Sequence, residues 1–378
     1  MSLTMCRALR NGSISLRSSS LPMIRYCTGS VSVPDERKRQ KPIMSKLRKE
    51  QLPMRPMGVD PSLTSVILFP GQGAQFVGMA EDLIEVPNVE GLFESAKRIL
   101  GYDLLELCIN GPPELLNETV RAQPAVFVTS LAAIEKLRVQ YPGVVEACVA
   151  TAGYSEGEIA ALVFAGAFSF EDGLRLVKIR AEAVQRASEL TPGGMMTIMF
   201  GADARINFAC AAATEWCLKK GVDKEKAICS IAGYLFPHCK IVAGHEEALK
   251  FLELSGHEFG IRKTVRLNVS GAFHTHLMNP ARLRVRDVVE RLPFGELYLP
   301  VHSNLDCRLY RYEDQVRKSI PTSLIKPVKW EQILQNIYRR PKDMSMPKTF
   351  ILGNSESLMT ILMNVNMPAF KSATLVSV

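Results

Sequence analysis

The amino-acid sequence lacks an apolar run long enough to cross a bilayer. The longest run near its middle, from Ile159 to Phe168, covers ten residues, about half of what a membrane-spanning helix needs. The nine cysteines are scattered, odd in number and without a C-x-x-C pair. They indicate reduced thiols rather than a disulfide framework or a metal site. We therefore expect no membrane insertion and no metal.

The folded part of the chain also lacks a net charge, although the whole chain carries a formal charge of +8. Residues 1–60 hold twelve Lys and Arg against four Asp and Glu, so this segment accounts for the entire excess. A nucleic-acid-binding protein needs a basic stripe on its folded body. Nucleic acid is therefore not an expected partner.

The first 34 residues contain no acidic residue, but four Arg and eight Ser. This composition is typical of an amphipathic organellar transit peptide, whereas a secretory signal needs a longer apolar stretch than SLPMI supplies. We predict a mitochondrial transit peptide over residues 1–34 and a linker over 35–60. A merely disordered basic tail is the alternative.

Short apolar runs alternate with helical patterns from residue 61 onward, which predicts an α/β fold. The run SVILF at 65–69 is typical of a buried parallel strand, and the turn PGQGAQ follows it. Helical patterns cover 79–100 and 123–139. A second strand is predicted over 147–152, and further strands of the same sheet near 299–302 and 348–352.

Residues 191–270 have a different character. Their order of strand, helix, strand, strand, helix and strand is the βαββαβ order of a ferredoxin-like unit. The stretches on either side both fit one α/β domain. We therefore predict a large domain made of residues 61–190 and 271–378, with a ferredoxin-like subdomain over 191–270 inserted into it.

The stretch GYSEG at 153–157 places Ser155 between two glycines. A G-x-S-x-G sequence between a strand and a helix is typical of a nucleophile elbow, in which larger flanking residues would collide. The N-terminus of the following helix offers N–H donors to a developing oxyanion. A serine that only caps a helix is the alternative.

A serine nucleophile needs a base, and the chain has six histidines. His274 and His276 in AFHTHLM stand out because they follow directly on the return from the inserted unit. The spacing alone does not choose between them. The pair has no third ligand at a suitable spacing, which disfavours a metal site.

Six motifs in order carry a resemblance to a known family: FPGQGAQFVGM, RAQPA, GYSEGEIAAL, KIRAEAVQ, GAFHTHLMNPA and PVKW. Together they resemble the malonyl-CoA:acyl carrier protein transacylase family in its mitochondrial form, over about residues 65–370. The resemblance implies an α/β-hydrolase-like parallel-sheet domain with an inserted ferredoxin-like subdomain.

The resemblance also implies an activity. A malonyl group passes from malonyl-CoA to the phosphopantetheine thiol of an acyl carrier protein through a malonyl-serine intermediate, supplying mitochondrial fatty acid synthesis. The expected partners are malonyl-CoA and the mitochondrial acyl carrier protein. We expect a monomer in the mitochondrial matrix, without a cofactor.

Residue roles follow from the same resemblance. Ser155 matches the acylated nucleophile, and His274 matches its base, held by a backbone carbonyl rather than by an acid. The backbone N–H groups of Gln72 and Glu156 match the oxyanion hole. Three residues match the substrate-binding positions: Arg180 for the malonyl carboxylate, Gln123 in the cleft, and Phe273, which favours malonyl over methyl-branched units.

The chain departs from the family pattern at several positions. Tyr154 stands where His is common, Glu156 where an apolar residue is common and Gly233 where Asn is common, and LGNSES replaces a Gly-Pro-Gly turn. Two other functions stay open: a serine hydrolase such as a thioesterase or lipase, and a catalytically inactive binding relative. A buried Arg180 facing the site would argue against the hydrolase.

Overall fold

The computed structural model describes residues 58–378, so the predicted transit peptide and nearly all of the predicted linker lie outside the described residues. The helices and strands follow in this order: β1 (Ser65–Phe69), α1 (Val89–Leu100), α2 (Leu104–Asn110), α3 (Pro113–Leu116), α4 (Thr119–Gln140), β2 (Cys148–Gly153), α5 (Gly157–Phe164), α6 (Phe170–Glu189), β3 (Gly193–Phe200), α7 (Ile206–Lys219), β4 (Cys229–Phe236), β5 (Cys239–His245), α8 (Glu246–Ser255), β6 (Ile261–Arg266), α9 (Asn279–Val289), α10 (Glu313–Ser323), α11 (Trp330–Tyr338), β7 (Lys348–Leu352), α12 (Glu356–Val365), α13 (Met367–Lys371) and β8 (Ala373–Val376).

A parallel sheet of order β2-β1-β7-β8 holds the serine turn. Every residue of β1 is buried. Because successive side chains point to opposite faces, Ile67 and Phe69 join one core cluster while Val66 and Leu68 join another. Helices therefore cover both faces, which explains why the strand is a continuous apolar run.

A second sheet is antiparallel, with the order β4-β5-β3-β6. It has a core cluster of its own, to which α7 contributes Ala209 and α8 contributes Leu249. The two helices and four strands follow the predicted βαββαβ order. The α/β class with an inserted antiparallel unit is thereby confirmed, while the domain limits at 191 and 270 stay predictions.

The sequence analysis was wrong about one strand of the large sheet and missed another. Residues 299–302 do not form a strand, and only a single parallel bridge joins Val301 to Thr151. Pro300 has no N–H to donate to a ladder, and His302 already pairs with Leu309. The edge strand β8 was not predicted.

The first predicted helix also begins later than expected. The helical pattern from residue 79 onward becomes regular α-helix only at Val89, after a 3₁₀ turn over Glu81–Leu83. Pro87 explains the delay, because a proline disfavours helical backbone at the residue before it. Among the helices of residues 58–378, none has the length and apolarity needed to cross a membrane.

Candidate active site

The turn after β2 leaves no room for side chains on either side of the serine. Ser155 has a φ of 55°, a left-handed conformation that costs a non-glycine residue about 1–3 kcal/mol. A Cβ at Gly153 would lie 1.9 Å from the carbonyl oxygen of Gly157, and one at Gly157 would lie 2.1 Å from that of Pro70. The turn therefore requires both glycines, as the elbow interpretation predicted.

Asn304 holds this strained turn from the opposite side. Its Oδ1 accepts the N–H of Ser155 at 2.8 Å, and its Nδ2 donates to the carbonyl of Gly153 at 2.7 Å. The N–H of Asn304 itself donates to Oε1 of Glu158 at 2.7 Å. Because Asn304 is completely buried, these bonds lack competition from water and fix the turn.

Ser155 and His274 are in direct contact. The Oγ of Ser155 lies 2.8 Å from Nε2 of His274, and Nδ1 lies 2.7 Å from the carbonyl oxygen of Ser323. A carbonyl only accepts hydrogen bonds, so Nδ1 carries the proton of the neutral ring and Nε2 presents its lone pair to the serine hydroxyl. Of the two candidate histidines, His274 therefore contacts the serine hydroxyl, whereas His276 is exposed.

The environment of His274 keeps its ring neutral. Burial lowers the pKa of His274 to about 4, the Ser323 carbonyl acts in the opposite direction, and the Arg180 cation lowers the pKa further. Ser323 is the last residue of α10, and a helix C-terminus attracts a positive charge. This helix end can therefore stabilise a transient imidazolium without a carboxylate.

Arg180 reaches the serine from α6. This side chain is only 6% exposed, its Nη2 donates to Oγ of Ser155 at 3.1 Å, and its Nη1 donates to Oε1 of Gln123 at 2.6 Å. Nε2 of Gln123 donates in turn to Oε1 of Gln72 at 3.2 Å. Burial lowers the pKa of Arg180 to about 10, so the guanidinium is still a cation at neutral pH.

Two backbone N–H groups near Ser155 are available to a ligand. The N–H groups of Gln72 and Glu156 donate to no group within residues 58–378. The loop of Gln72 packs against the elbow, since a Cβ at Gly71 would lie 2.3 Å from the carbonyl oxygen of Tyr154. Such paired donors beside a serine hydroxyl suit an oxyanion.

Glu156 and Phe273 make no polar side-chain contact at the site. Glu156 is completely buried, and neither of its carboxylate oxygens has a hydrogen-bond partner. Burial raises the pKa of Glu156 to about 8, against the opposing effect of the Arg180 cation. Phe273 is half-buried and packs against both large core clusters, and its part in acyl choice stays a prediction.

The chain has clear relatives. The acyl transferase domain family matches residues 66–335. The human protein named malonyl-CoA-acyl carrier protein transacylase, mitochondrial, is 47% identical over 84% of this chain and 81% of its own length. The chain belongs to the malonyl-CoA-acyl carrier protein transacylase family.

Solved transacylase structures agree with this membership. An acyl carrier protein S-malonyltransferase from Vibrio cholerae has a TM-score of 0.73 at 28% identity, covering 83% of this chain and 97% of its own. A malonyl-transacylase in complex with a type II PKS acyl-carrier protein has a TM-score of 0.71 at 29% identity, covering 83% and 96%. The resemblance inferred from the six motifs is confirmed at the level of family and fold.

Hydrogen bonds connect most residues that the transacylase resemblance singled out. They join Ser155, His274, Arg180, Gln123 and Gln72 in one network. Glu156 adjoins this network through the backbone, and Phe273 precedes His274. Within residues 58–378, no cluster of His, Cys, Asp or Glu side chains has the geometry to hold a metal ion.

Three supporting residues of the transacylase site escaped the sequence interpretation. Asn304 and Ser323 lie in segments without a recognisable motif, and their contacts exist only once distant elements meet. Glu158 lies inside GYSEGEIAAL, and its Oε1 accepts a hydrogen bond from the hydroxyl of Tyr310 at 2.9 Å. The position of Glu158 in the helical pattern did not predict this contact. Burial raises the pKa of Glu158 to about 7, while the bonds from Asn304 and Tyr310 lower it.

Proposed function

We propose that this chain transfers malonyl from malonyl-CoA to the phosphopantetheine thiol of an acyl carrier protein, with Ser155 as the residue that carries the acyl group. The names of the human and Vibrio relatives describe this transfer for those proteins. The observation that carries the proposal is the buried guanidinium of Arg180, 3.1 Å from Oγ of Ser155.

In the first half-reaction, Oγ of Ser155 attacks the thioester carbonyl carbon of malonyl-CoA. Its proton moves to Nε2 of His274, and the N–H groups of Gln72 and Glu156 donate to the oxyanion. The oxyanion collapses, the carbon–sulfur bond breaks and the proton passes to the departing CoA sulfur. The products are free CoA and a malonyl ester on Ser155.

The second half-reaction reverses these steps with a new thiol. The phosphopantetheine thiol gives its proton to His274 and attacks the ester carbonyl, and the same two N–H groups stabilise the second oxyanion. When the bond to Oγ breaks, Ser155 recovers its proton from His274. The imidazole thus serves as base and then acid in each half-reaction.

The position of Arg180 favours a malonyl transferase over a lipase or thioesterase. A buried cation next to the nucleophile costs desolvation, and an acyl chain without charge gives it no counterion. The planar guanidinium can make two parallel hydrogen bonds to a malonyl carboxylate. In the free protein, Nη2 and Nη1 of Arg180 donate instead to the neutral oxygens of Ser155 and Gln123.

Replacing Arg180 with alanine is expected to weaken malonyl transfer selectively. Truncation leaves the malonyl carboxylate desolvated and unpaired, which costs about 2–5 kcal/mol. This loss corresponds to a decrease in kcat/KM of about 30-fold to several thousand-fold. Acetyl-CoA has no carboxylate, so its kcat/KM should change little, and steady-state assays with both thioesters provide the measurement.

Arg175→Ala is the matched control for this experiment. Arg175 lies on the same helix but is exposed, and it pairs with Asp172 at 2.9 Å. This variant should leave the malonyl-to-acetyl ratio unchanged. A parallel decrease for both thioesters in Arg180→Ala would mean that Arg180 supports the fold or CoA binding rather than malonyl choice.

We place the protein in mitochondria, as the name of the human relative states for that protein, and propose the matrix as its compartment. The acid-free, Arg- and Ser-rich segment 1–34 supports this proposal. A fusion of residues 1–40 to a reporter should enter the matrix, while a chain starting near residue 60 should stay active. Imaging with protease protection measures the first outcome.

The matched control for the targeting experiment is the same fusion with its four early arginines replaced by glutamine: Arg7, Arg10, Arg17 and Arg25. It keeps the length and the serines of residues 1–34 but removes the four positive charges of that segment. We expect this reporter to remain in the cytosol. A cytosolic location of the unchanged fusion would contradict the proposed mitochondrial targeting.

We further propose that the protein works as a monomer with the mitochondrial acyl carrier protein as acceptor. One chain supplies Ser155, His274 and Arg180, so the site needs no residue from a second copy. The solved transacylase complex shows another transacylase with its own carrier. Sedimentation with and without the carrier would reveal a dimer if this proposal is wrong.

A further inference from the structure

Glu156 is an unexplained carboxyl group inside the site. It directly follows Ser155, it is completely buried, and both of its oxygens lack a hydrogen-bond partner. It stands at the N-cap of α5 without capping the helix. Buried polar groups nearly always have partners, so a bare carboxyl group here calls for a functional explanation.

One charged group acts on Glu156 within the described residues, the guanidinium of Arg180 from α6. The interaction is mutual, since Glu156 and Glu158 both raise the pKa of Arg180 against the larger opposing effect of burial. In residues 58–378 Arg180 has no carboxylate within salt-bridge distance and donates to the neutral oxygens of Ser155 and Gln123. Glu156 is therefore a nearby counterion that has not paired.

We propose that the protonation state of Glu156 sets the acyl selectivity of the enzyme. As a neutral acid, Glu156 leaves Arg180 to the carboxylate of a malonyl group. As a carboxylate, it competes for Arg180 and repels the malonyl carboxylate. The transfer of acyl groups without a charge, such as acetyl, should not depend on the charge of Glu156. This inference rests on the proposed function of Ser155 and Arg180.

The titration of Glu156, His274 and Arg180 defines the pH range in which the malonyl preference should change. Burial raises the pKa of Glu156 to about 8, so its neutral form dominates below that pH and its carboxylate above it. His274, with a pKa of about 4, stays neutral, and Arg180, with a pKa of about 10, stays charged across this range. Malonyl preference should therefore be highest below about pH 7 and decrease towards about pH 9.

The test is the ratio of kcat/KM for malonyl-CoA to that for acetyl-CoA, measured between pH 6.5 and 9 with holo-acyl carrier protein as acceptor. Both thioesters use the same nucleophile, base and CoA contacts, so titrations that they share cancel in the ratio. Coulomb repulsion between two carboxylates in a site closed to water is large enough that the wild-type ratio should decrease about 10-fold or more. Glu156→Gln keeps the shape without the charge, and its ratio should change less than about twofold.

Glu158→Gln is the matched control, because burial raises the pKa of Glu158 to about 7 and this group also acts on Arg180. Unlike Glu156, Glu158 has partners, since its Oε1 accepts hydrogen bonds from the N–H of Asn304 and the hydroxyl of Tyr310. Glutamine keeps this acceptor oxygen, so Glu158→Gln should keep the decrease of the ratio with pH. Glu156→Leu provides a second uncharged variant if the amide disturbs folding. A flat wild-type ratio, or an equal decrease in both Glu156 variants, would overturn the proposal. Wild-type protein that forms no malonyl adduct at pH 6.5 would instead overturn the proposed function beneath it.

Discussion

Replacing Ser155 with alanine is expected to abolish the covalent malonyl adduct completely. The change removes Oγ and its contacts with His274 and Arg180, while alanine tolerates the left-handed backbone about as poorly as serine does. The bonds that hold the turn involve backbone atoms and Asn304, and they remain. Intact-protein mass after mixing with malonyl-CoA should therefore equal that of the unmodified variant, with a native thermal transition.

The wild-type protein and an exposed serine variant, Ser357→Ala, serve as controls for this experiment. Both should gain one malonyl group, and peptide mapping should place it on Ser155. Holo-acyl carrier protein should remove the group much faster than buffer alone, because a transferase must favour the thiol over water. An adduct that persists in Ser155→Ala and maps to another residue would refute the proposed mechanism.

His274→Ala should slow formation of the malonyl-serine by about 10²- to 10⁴-fold, the usual contribution of a general base. The variant leaves Oγ in place but removes the Nε2 lone pair that His274 presents to it at 2.8 Å. Rapid-quench measurement of adduct formation isolates this step from product release. The remaining slow acylation should rise with pH as hydroxide replaces the missing base.

His276→Ala is the matched control for the base, since it removes an exposed imidazole two residues away. Its rate of adduct formation should stay within about twofold of the wild type, as expected for a surface change. A severe loss in His276→Ala, together with normal acylation by His274→Ala, would reverse the assignment.

Local sequence patterns predicted most of the fold. The continuous apolar run of β1 and the elbow glycines each encode their structure within a few residues. The βαββαβ unit was predictable from the order of its apolar runs and helical patterns along the chain.

Long-range contacts set the limit of that prediction. Residues 299–302 are apolar enough for a strand, but Pro300 and the pairing of His302 with Leu309 restrict them to a single bridge. Asn304 contacts a backbone N–H that lies 149 positions away in the chain, and no local pattern encodes such a contact. The sequence showed that Glu156 is unusual, whereas its burial and missing partners became visible only in the structure.

The fit between Tyr154 and Gly233 couples two distant positions of the chain. A Cβ at Gly233 would lie 3.0 Å from the hydroxyl oxygen of Tyr154, whose ring packs edge-on against Trp330 at 5.5 Å. A side chain at 233 therefore fits only if the tyrosine gives way by a few tenths of an ångström. Because the two residues share this space, the effects of substitutions at 154 and 233 on the free energy of unfolding should be non-additive.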